Sequence, residues 1–248
     1  MREYTGFAEV YDEYMDNIPY DEWTEYLHSL MKKYEVPDGG TVAEIGCGTG
    51  SALSRIAKKG YQCTGLDLSS DMLTMAYQKQ VEEGTDIMYT CQDMRDFELA
   101  EETDCIYSIA DSINYITSTE DLTDVFTCVK RFLKETGVFI FDCKTEHLFR
   151  DLCADNTFAE NREDSAFIWD NYYDEETRDN EYDLAVFVKT KDGSFKRFEE
   201  THIQHAFTID EVKAAADAAG LKTVAVYDAF TEEEPKEDSE RIYFVMKG

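Results

Sequence analysis

The stretch Val42-Ala43-Glu44-Ile45-Gly46-Cys47-Gly48-Thr49-Gly50 decides how this chain folds. Together with Thr41, its first residues supply the β-branching of a short strand, and the run ends on three glycines at alternate positions. A helical pattern follows from Ser51 to Lys59. Glycine suits such a junction because a ligand must approach the backbone closely and the turn needs φ values that a Cβ forbids. The helix behind it offers unpaired N–H groups and the positive end of its dipole to an anionic group.

Outward from this junction, strand and helix patterns alternate. Strands are predicted at Tyr61–Asp67, Ile87–Cys91, Cys105–Ala110 and Val138–Asp142, and helices at Ser70–Glu82 and Glu120–Lys134. Thr117-x-x-Glu120 resembles a capping box for the second helix, and Gly137 follows its end. The alternation implies a doubly wound α/β domain with a mostly parallel, seven-stranded Rossmann-like sheet. On the N-terminal side, Phe7, Val10, Tyr11 and Tyr14 recur at helical spacing, as do Trp23, Leu27, Leu30, Met31 and Tyr34 after Pro19. Residues 1–40 are therefore expected to form an N-terminal helical lid, and residues 41–143 with 207–248 the α/β domain. Between them, residues 144–206 lose the βα alternation. Phe167–Tyr173, Tyr182–Lys189 and Phe195–Phe207, with a turn at Asp192-Gly193, predict an antiparallel β insertion that serves a substrate or a second subunit. Thr208 with Glu211, and Phe207 with Val212, then supply a capping box and a hydrophobic staple for a helix ending at Gly220. Strands at Leu221–Tyr227 and Arg241–Met246 close the chain.

Composition narrows the function. Among 248 residues, 24 Lys and Arg face 54 Asp and Glu, a formal charge of -30. Such a surface repels phosphate backbones and anionic membranes, so a nucleic-acid partner is disfavoured. The best linear basic stretch, Lys189 to Arg197, flanks the Asp192-Gly193 turn and reads as solvated strand ends. The seven cysteines are scattered without a Cys-x-x-Cys pair, which suggests free thiols and no metal site. No run of 18 apolar residues is present, and the expected location is cytoplasmic.

Asp67 ends the second strand where dinucleotide-type folds place an acid that binds ribose hydroxyls, roughly 20 residues past the glycine turn. Both features suit NAD as well as S-adenosylmethionine. The spacing G-x-G-x-G departs from the NAD fingerprint G-x-G-x-x-G, and Glu44 would be unwelcome beside a pyrophosphate. It is tolerable beside a zwitterionic amino acid and a sulfonium, so charge favours S-adenosylmethionine.

Glu44 to Gly50, with Leu66-Asp67-Leu68-Ser69, resembles the class I S-adenosylmethionine-dependent methyltransferases. Phe7 to Asp12, Pro19 to Trp23, Cys91 to Met94, Asp111 to Tyr115 and Glu200 to Gln204 are similar to a bacterial subgroup related to amino-sugar N,N-dimethyltransferases. The resemblance implies that Gly46, Cys47, Gly48 and Gly50 line the methionine and ribose portion, with Glu44 orienting the loop. It implies ribose binding by Asp67 and adenine contacts from Leu68, Asp93 and Met94. Ala110 and Asp111 would lie beside the methionine amino group, and Tyr11 near the transferable methyl.

Methyl transfer is an in-line displacement with a neutral leaving group, so positioning supplies much of the rate and a base is needed only for a protonated acceptor. The candidates for that role are Tyr11, His147 and His202. His202 and His205 stand three apart on one strand and so point to opposite faces. The expected acceptor is a small molecule with an amine or hydroxyl. Competing readings are methylation of RNA or protein, a non-catalytic S-adenosylmethionine-binding protein and, more remotely, an NAD-dependent oxidoreductase.

Overall fold

The computed structural model describes residues 19–248, so the predicted helix around Phe7 to Tyr14, and Tyr11 with it, lies outside the described residues. The second predicted helix is α1 (Tyr20–Lys33), which buries Trp23, Leu27, Leu30 and Met31 on one stripe. Asp21 and Glu22 in its first turn and Lys32 and Lys33 in its last complement the helix dipole.

The main sheet has seven strands in the order β10-β11-β5-β4-β1-β2-β3. Their ranges are β1 Thr41–Ile45, β2 Gln62–Asp67, β3 Ile87–Cys91, β4 Thr103–Ser108, β5 Leu133–Lys144, β10 Lys222–Asp228 and β11 Arg241–Lys247. β1 pairs in parallel with both β2 and β4, whereas β11 runs antiparallel to β5 and to β10. The chain steps outward from β1 through β2 to β3, then returns to β4 on the other side, so strand order reverses between β1 and β4. That reversal opens a crevice at the carboxyl ends of the strands.

Period-two alternation feeds two apolar layers. Val138 and Ile140 of β5 join the layer that holds α1, α2 (Ser51–Lys58) and α3 (Ser70–Glu83). Phe139 and Phe141 join the layer under α4 (Thr119–Phe132) and α5 (Ile209–Ala219). Two local expectations at α4 are corrected. Its N-cap is Ser118, whose hydroxyl accepts from Asp121 N–H, one residue beyond the Thr117 box. Gly137 lies inside β5 and does not end the helix, which stops at Phe132. The α5 capping box forms as expected, Thr208 with Glu211.

The segment after β5 builds a separate four-stranded antiparallel sheet, β6 (Thr157–Asn161), β7 (Ser165–Asp174), β8 (Asp179–Lys189) and β9 (Phe195–His205), in chain order. β6 was not expected. It is an edge strand whose residues are nearly all exposed, so no buried face stamped an alternation on its sequence. On the inward face Asn180, Tyr182 and Leu184 of β8 are buried beside Gln204, His202 and Glu200 of β9.

Candidate active site

All three glycines of the β1–α2 bend have positive φ, 74° at Gly46, 52° at Gly48 and 72° at Gly50. A Cβ at Gly46 would lie 2.7 Å from the Ser112 Cβ, and one at Gly50 would strike the Tyr89 hydroxyl. At Gly48 a Cβ would meet nothing within 4 Å. The bend is thus closed around Gly46 and Gly50 and open at Gly48.

Beside it lies a cavity of about 660 Å³. Glu44, Gly46, Cys47, Gly48, Asp67, Leu68, Asp93, Met94 and Ala110 all line it. Gly50 and Asp111 do not, and neither do His147 and His202. Gly50 serves the bend from behind, as the left-handed N-cap of α2.

Asp67 is anchored by the backbone of the cavity wall. Its two oxygens accept the N–H groups of Gly48 and Ser69, each at 2.8 Å. Burial pushes its carboxyl up from the ordinary value, and the N–H groups of Ser69, Gly48 and Leu68 pull it back. Each oxygen keeps a lone pair, so the group can still accept from a vicinal diol. Leu68 stands exposed at the rim, as an apolar surface waiting for a partner. Glu44 is buried beneath the bend and accepts from the Tyr107 hydroxyl at 3.1 Å. Burial, reinforced by the Asp67 charge, raises its carboxyl well above the ordinary value. Asp93 is engaged by the Arg95 guanidinium, which holds its carboxyl below the ordinary value.

The opposite wall is built differently. Ala110 and Asp111 follow β4 with φ of 61° and 58°, two adjacent non-glycine residues in the left-handed region. Their N–H groups both donate to Asp142, at 3.2 and 2.8 Å. Arg241 clamps the pair, donating to Asp142 at 2.7 Å and to Asp111 at 2.8 Å, with its guanidinium 4.9 Å above the Trp23 ring. Lys144 lies 2.9 Å from Asp111, and Gln204 donates to it at 2.8 Å. Burial opposes ionisation of Asp111, but Lys144 and Arg241 override it and hold the carboxyl at about 2. Asp142 moves the other way, raised by burial and by Asp111 against the pull of Arg241. Asp111 is thus locked into a seam between the two sheets, not open to a ligand in the cavity. Asn114, in the 3₁₀ turn Ser112–Tyr115, completes the seam by donating to the carbonyls of Lys144 and His205.

Sequence reasoning did not single out Arg241 or Ser112. Ser112 Oγ donates to the Gly46 carbonyl at 3.1 Å and so ties the two walls together. A lone arginine opening the apolar run Ile242 to Met246 was the available signal for Arg241. Of the histidine candidates, His147 sits 2.7 Å from Asp151 away from the cavity. His202 is buried, stacked on Tyr182 with ring centroids 5.1 Å apart. Its Nδ1 lies 3.1 Å from the hydroxyl of Tyr115, a residue that does line the cavity. The aromatic insertion divides: Tyr173 is buried, stacked with Phe149, whereas Tyr172 is exposed.

A family profile described as a methyltransferase domain matches residues 42–137, from β1 to the start of β5. The Bacillus subtilis protein named "Putative methyltransferase YqeM" is 34% identical over 242 residues, which is 97% of this chain and 95% of that one. The chain belongs to the S-adenosylmethionine-dependent methyltransferases. An S-adenosylmethionine-dependent methyltransferase from Clostridium acetobutylicum superimposes on the methyltransferase with a TM-score of 0.87 at 25% identity, covering 97% of each chain. A Streptomyces venezuelae protein, dTDP-3-amino-3,4,6-trideoxy-alpha-D-glucopyranose N,N-dimethyltransferase, is 26% identical over 77% of this chain and 79% of its own. The enzyme's cofactor is accordingly S-adenosylmethionine, and the NAD reading falls.

Proposed function

We propose that this methyltransferase acts on a small molecule bearing an amine or a hydroxyl, in the cytoplasm. The observation that carries the reading is the cavity itself. On one side Asp67 stands ready for a ribose diol, on the other the Ala110 bend closes the crevice, and the walls meet through Ser112 and Gly46. In this reading Asp67 holds the ribose, Gly46, Cys47 and Gly48 follow the methionine and ribose backbone, and Leu68, Asp93 and Met94 border the adenine. Glu44 orients the bend from beneath, held by the Tyr107 hydroxyl. The Ala110 carbonyl side of the strained turn receives the amino group, with Asp111 acting only by holding that turn. The bound sulfonium supplies an electrophilic methyl group and a neutral thioether as leaving group.

The chain's own contribution is positioning. Holding the acceptor in line with the methyl carbon replaces a bimolecular encounter by a fixed geometry. The formal charge of -30 supports a cationic or neutral acceptor over RNA. Kinship with an amino-sugar dimethyltransferase supports an amine. Of the candidates for handling its proton, Tyr11, His147 and His202, His147 pairs with Asp151 away from the cavity and His202 is joined to it through Tyr115. The outward face of the second sheet exposes Ile168, Tyr172 and Ile203, which supports a second copy of the chain as a partner there.

Incubating the enzyme with S-adenosylmethionine and size-fractionated cell extract tests the acceptor class. S-adenosylhomocysteine should accumulate with the small-molecule fraction. Release only with the RNA or protein fraction would overturn the proposal.

A further inference from the structure

His202 does not reach the cavity, yet it is wired to it. The Tyr115 hydroxyl, on the 3₁₀ turn that follows β4, lies 3.1 Å from His202 Nδ1 and 2.9 Å from the Tyr182 hydroxyl. On the far side of the ring, Glu200 Oε2 lies 3.3 Å from His202 Nε2. Glu200 and His202 stand two apart on β9, hence on one face, and their side chains are 4% and 1% exposed. A carboxylate buried to that degree has to be paired, and the imidazole beside it can share a proton with it.

From this we infer that Tyr115 is a catalytic residue that takes the acceptor's proton, with His202 and Glu200 as the positioning residues behind it. The inference rests on the methyl-transfer reading and narrows its substrate class to acceptors that must shed a proton, a primary or secondary amine or an acidic hydroxyl. For an amine, the nitrogen lone pair forms the new N–C bond while the C–S bond breaks and its electron pair goes to sulfur. The nitrogen then carries one proton too many. Tyr115 accepts that proton on its hydroxyl oxygen as its own hydroxyl proton passes to His202 Nδ1. The Glu200 carboxylate, 3.3 Å from Nε2, stabilises by its charge the imidazolium that results. The products are the neutral methylated amine, the thioether and a protonated His202, so atoms and charge balance.

This proton transfer demands one tautomer in the resting enzyme: hydrogen on Nε2, which lies 3.3 Å from Glu200, and a bare Nδ1 facing Tyr115. Among the described residues, the groups facing the His202 ring are Tyr115 from the 3₁₀ turn, Tyr182 from β8 and Glu200 from its own strand. Gln204 is next on the same strand face and leads to Lys144 and Asp111, so their charges enter the same balance.

Two measurements decide the matter. Ring ¹⁵N shifts of labelled histidine, with His202→Asn to assign the signal, should show the Nε2–H tautomer at neutral pH. An Nδ1–H tautomer would overturn the inference, and this arm needs no acceptor. In parallel, S-adenosylhomocysteine release is followed against pH with the amine-bearing small-molecule fraction of cell extract as the probe. Tyr115→Phe should lower kcat about 100-fold or more while leaving S-adenosylmethionine affinity within threefold by calorimetry. Glu200→Gln should lower the plateau and move the acidic limb of kcat/KM to lower pH, because the imidazolium loses its counter-charge. Wild-type profiles in both variants would return the three residues to packing. Failure of the unmodified enzyme to bind S-adenosylmethionine would instead sink the cofactor assignment, which leaves the two failures distinguishable.

Discussion

The two walls of the cavity solve one problem by opposite means. Both must bend the backbone sharply at the carboxyl end of a strand and present it to a ligand. At the end of β1 the bend is made from residues that adopt it freely, three glycines with positive φ. At the end of β4 it is made from Ala110 and Asp111, which pay about 1–2 kcal/mol each in the left-handed region. Hydrogen bonds to Asp142 and the Arg241 clamp hold them there. The first wall is local chemistry, and the second is a tertiary construction drawn from β4, β5, β9 and β11. A bend held from outside can also transmit what happens at the second sheet, since Gln204 and Lys144 end on the same Asp111.

The contrast is broken hardest at Arg241. Arg241→Met would leave Asp142 buried without its cation and Asp111 with Lys144 alone, and such losses cost about 3–5 kcal/mol. A denaturant midpoint should fall accordingly. Loss of less than about 1 kcal/mol would mean that the β4 bend holds itself. Gly46→Ala attacks the other wall. It forces a Cβ into the left-handed region and to 2.7 Å from Ser112, for about 2–4 kcal/mol in the same assay. Asp67→Ala should act on the ligand more than on the fold, weakening S-adenosylmethionine binding about tenfold or more in calorimetry, or at least 1.4 kcal/mol. Unchanged affinity would refute its ribose role.

How much of each wall could be read in advance follows from the same contrast. The Gly46, Gly48 and Gly50 bend and the terminal Asp67 were legible because their roles depend on neighbours within a few residues and on a strand register that hydrophobic alternation reveals. The main sheet followed from β-branched runs and glycine breaks, and five of its strands lie within two residues of the expected bounds at each end. The seam was not legible. The family resemblance placed Asp111 beside the methionine amino group, but whether it faces the cavity depends on Arg241 arriving 130 residues later. Glu200 could have been noticed, since an acid two residues before His202 on a predicted strand must share its face. The edge strand β6 carried no signal at all, its side chains being solvated on both faces.

Acid should separate the walls in a way that mutation does not. The Asp111 carboxyl is held at about 2, below its unfolded value near 3.9. Its contribution is in full force above that unfolded value and drains away as pH falls toward 2. Glu44 and Asp67 are raised, so the folded state binds their protons more readily and the glycine wall gains nothing from ionising them. Stability measured between pH 4 and 2 should therefore fall, and less steeply in an Asp111→Asn variant. An identical slope would show that the seam is not what acid dissolves.

The mildest substitution is the most discriminating. Ala110→Gly relieves the left-handed strain but gives the unfolded chain more freedom, and the two effects are of similar size, about 1 kcal/mol each. Net stability should thus stay within about 1 kcal/mol of the parent. If the clamp defines the bend, the glycine variant keeps its conformation and S-adenosylmethionine affinity changes less than threefold. If instead the stiffness of Ala110 itself holds the wall, the glycine loosens it and affinity drops while stability does not. Measuring both on one variant tells whether this wall owes its shape to the residue that bends or to the residues that hold it.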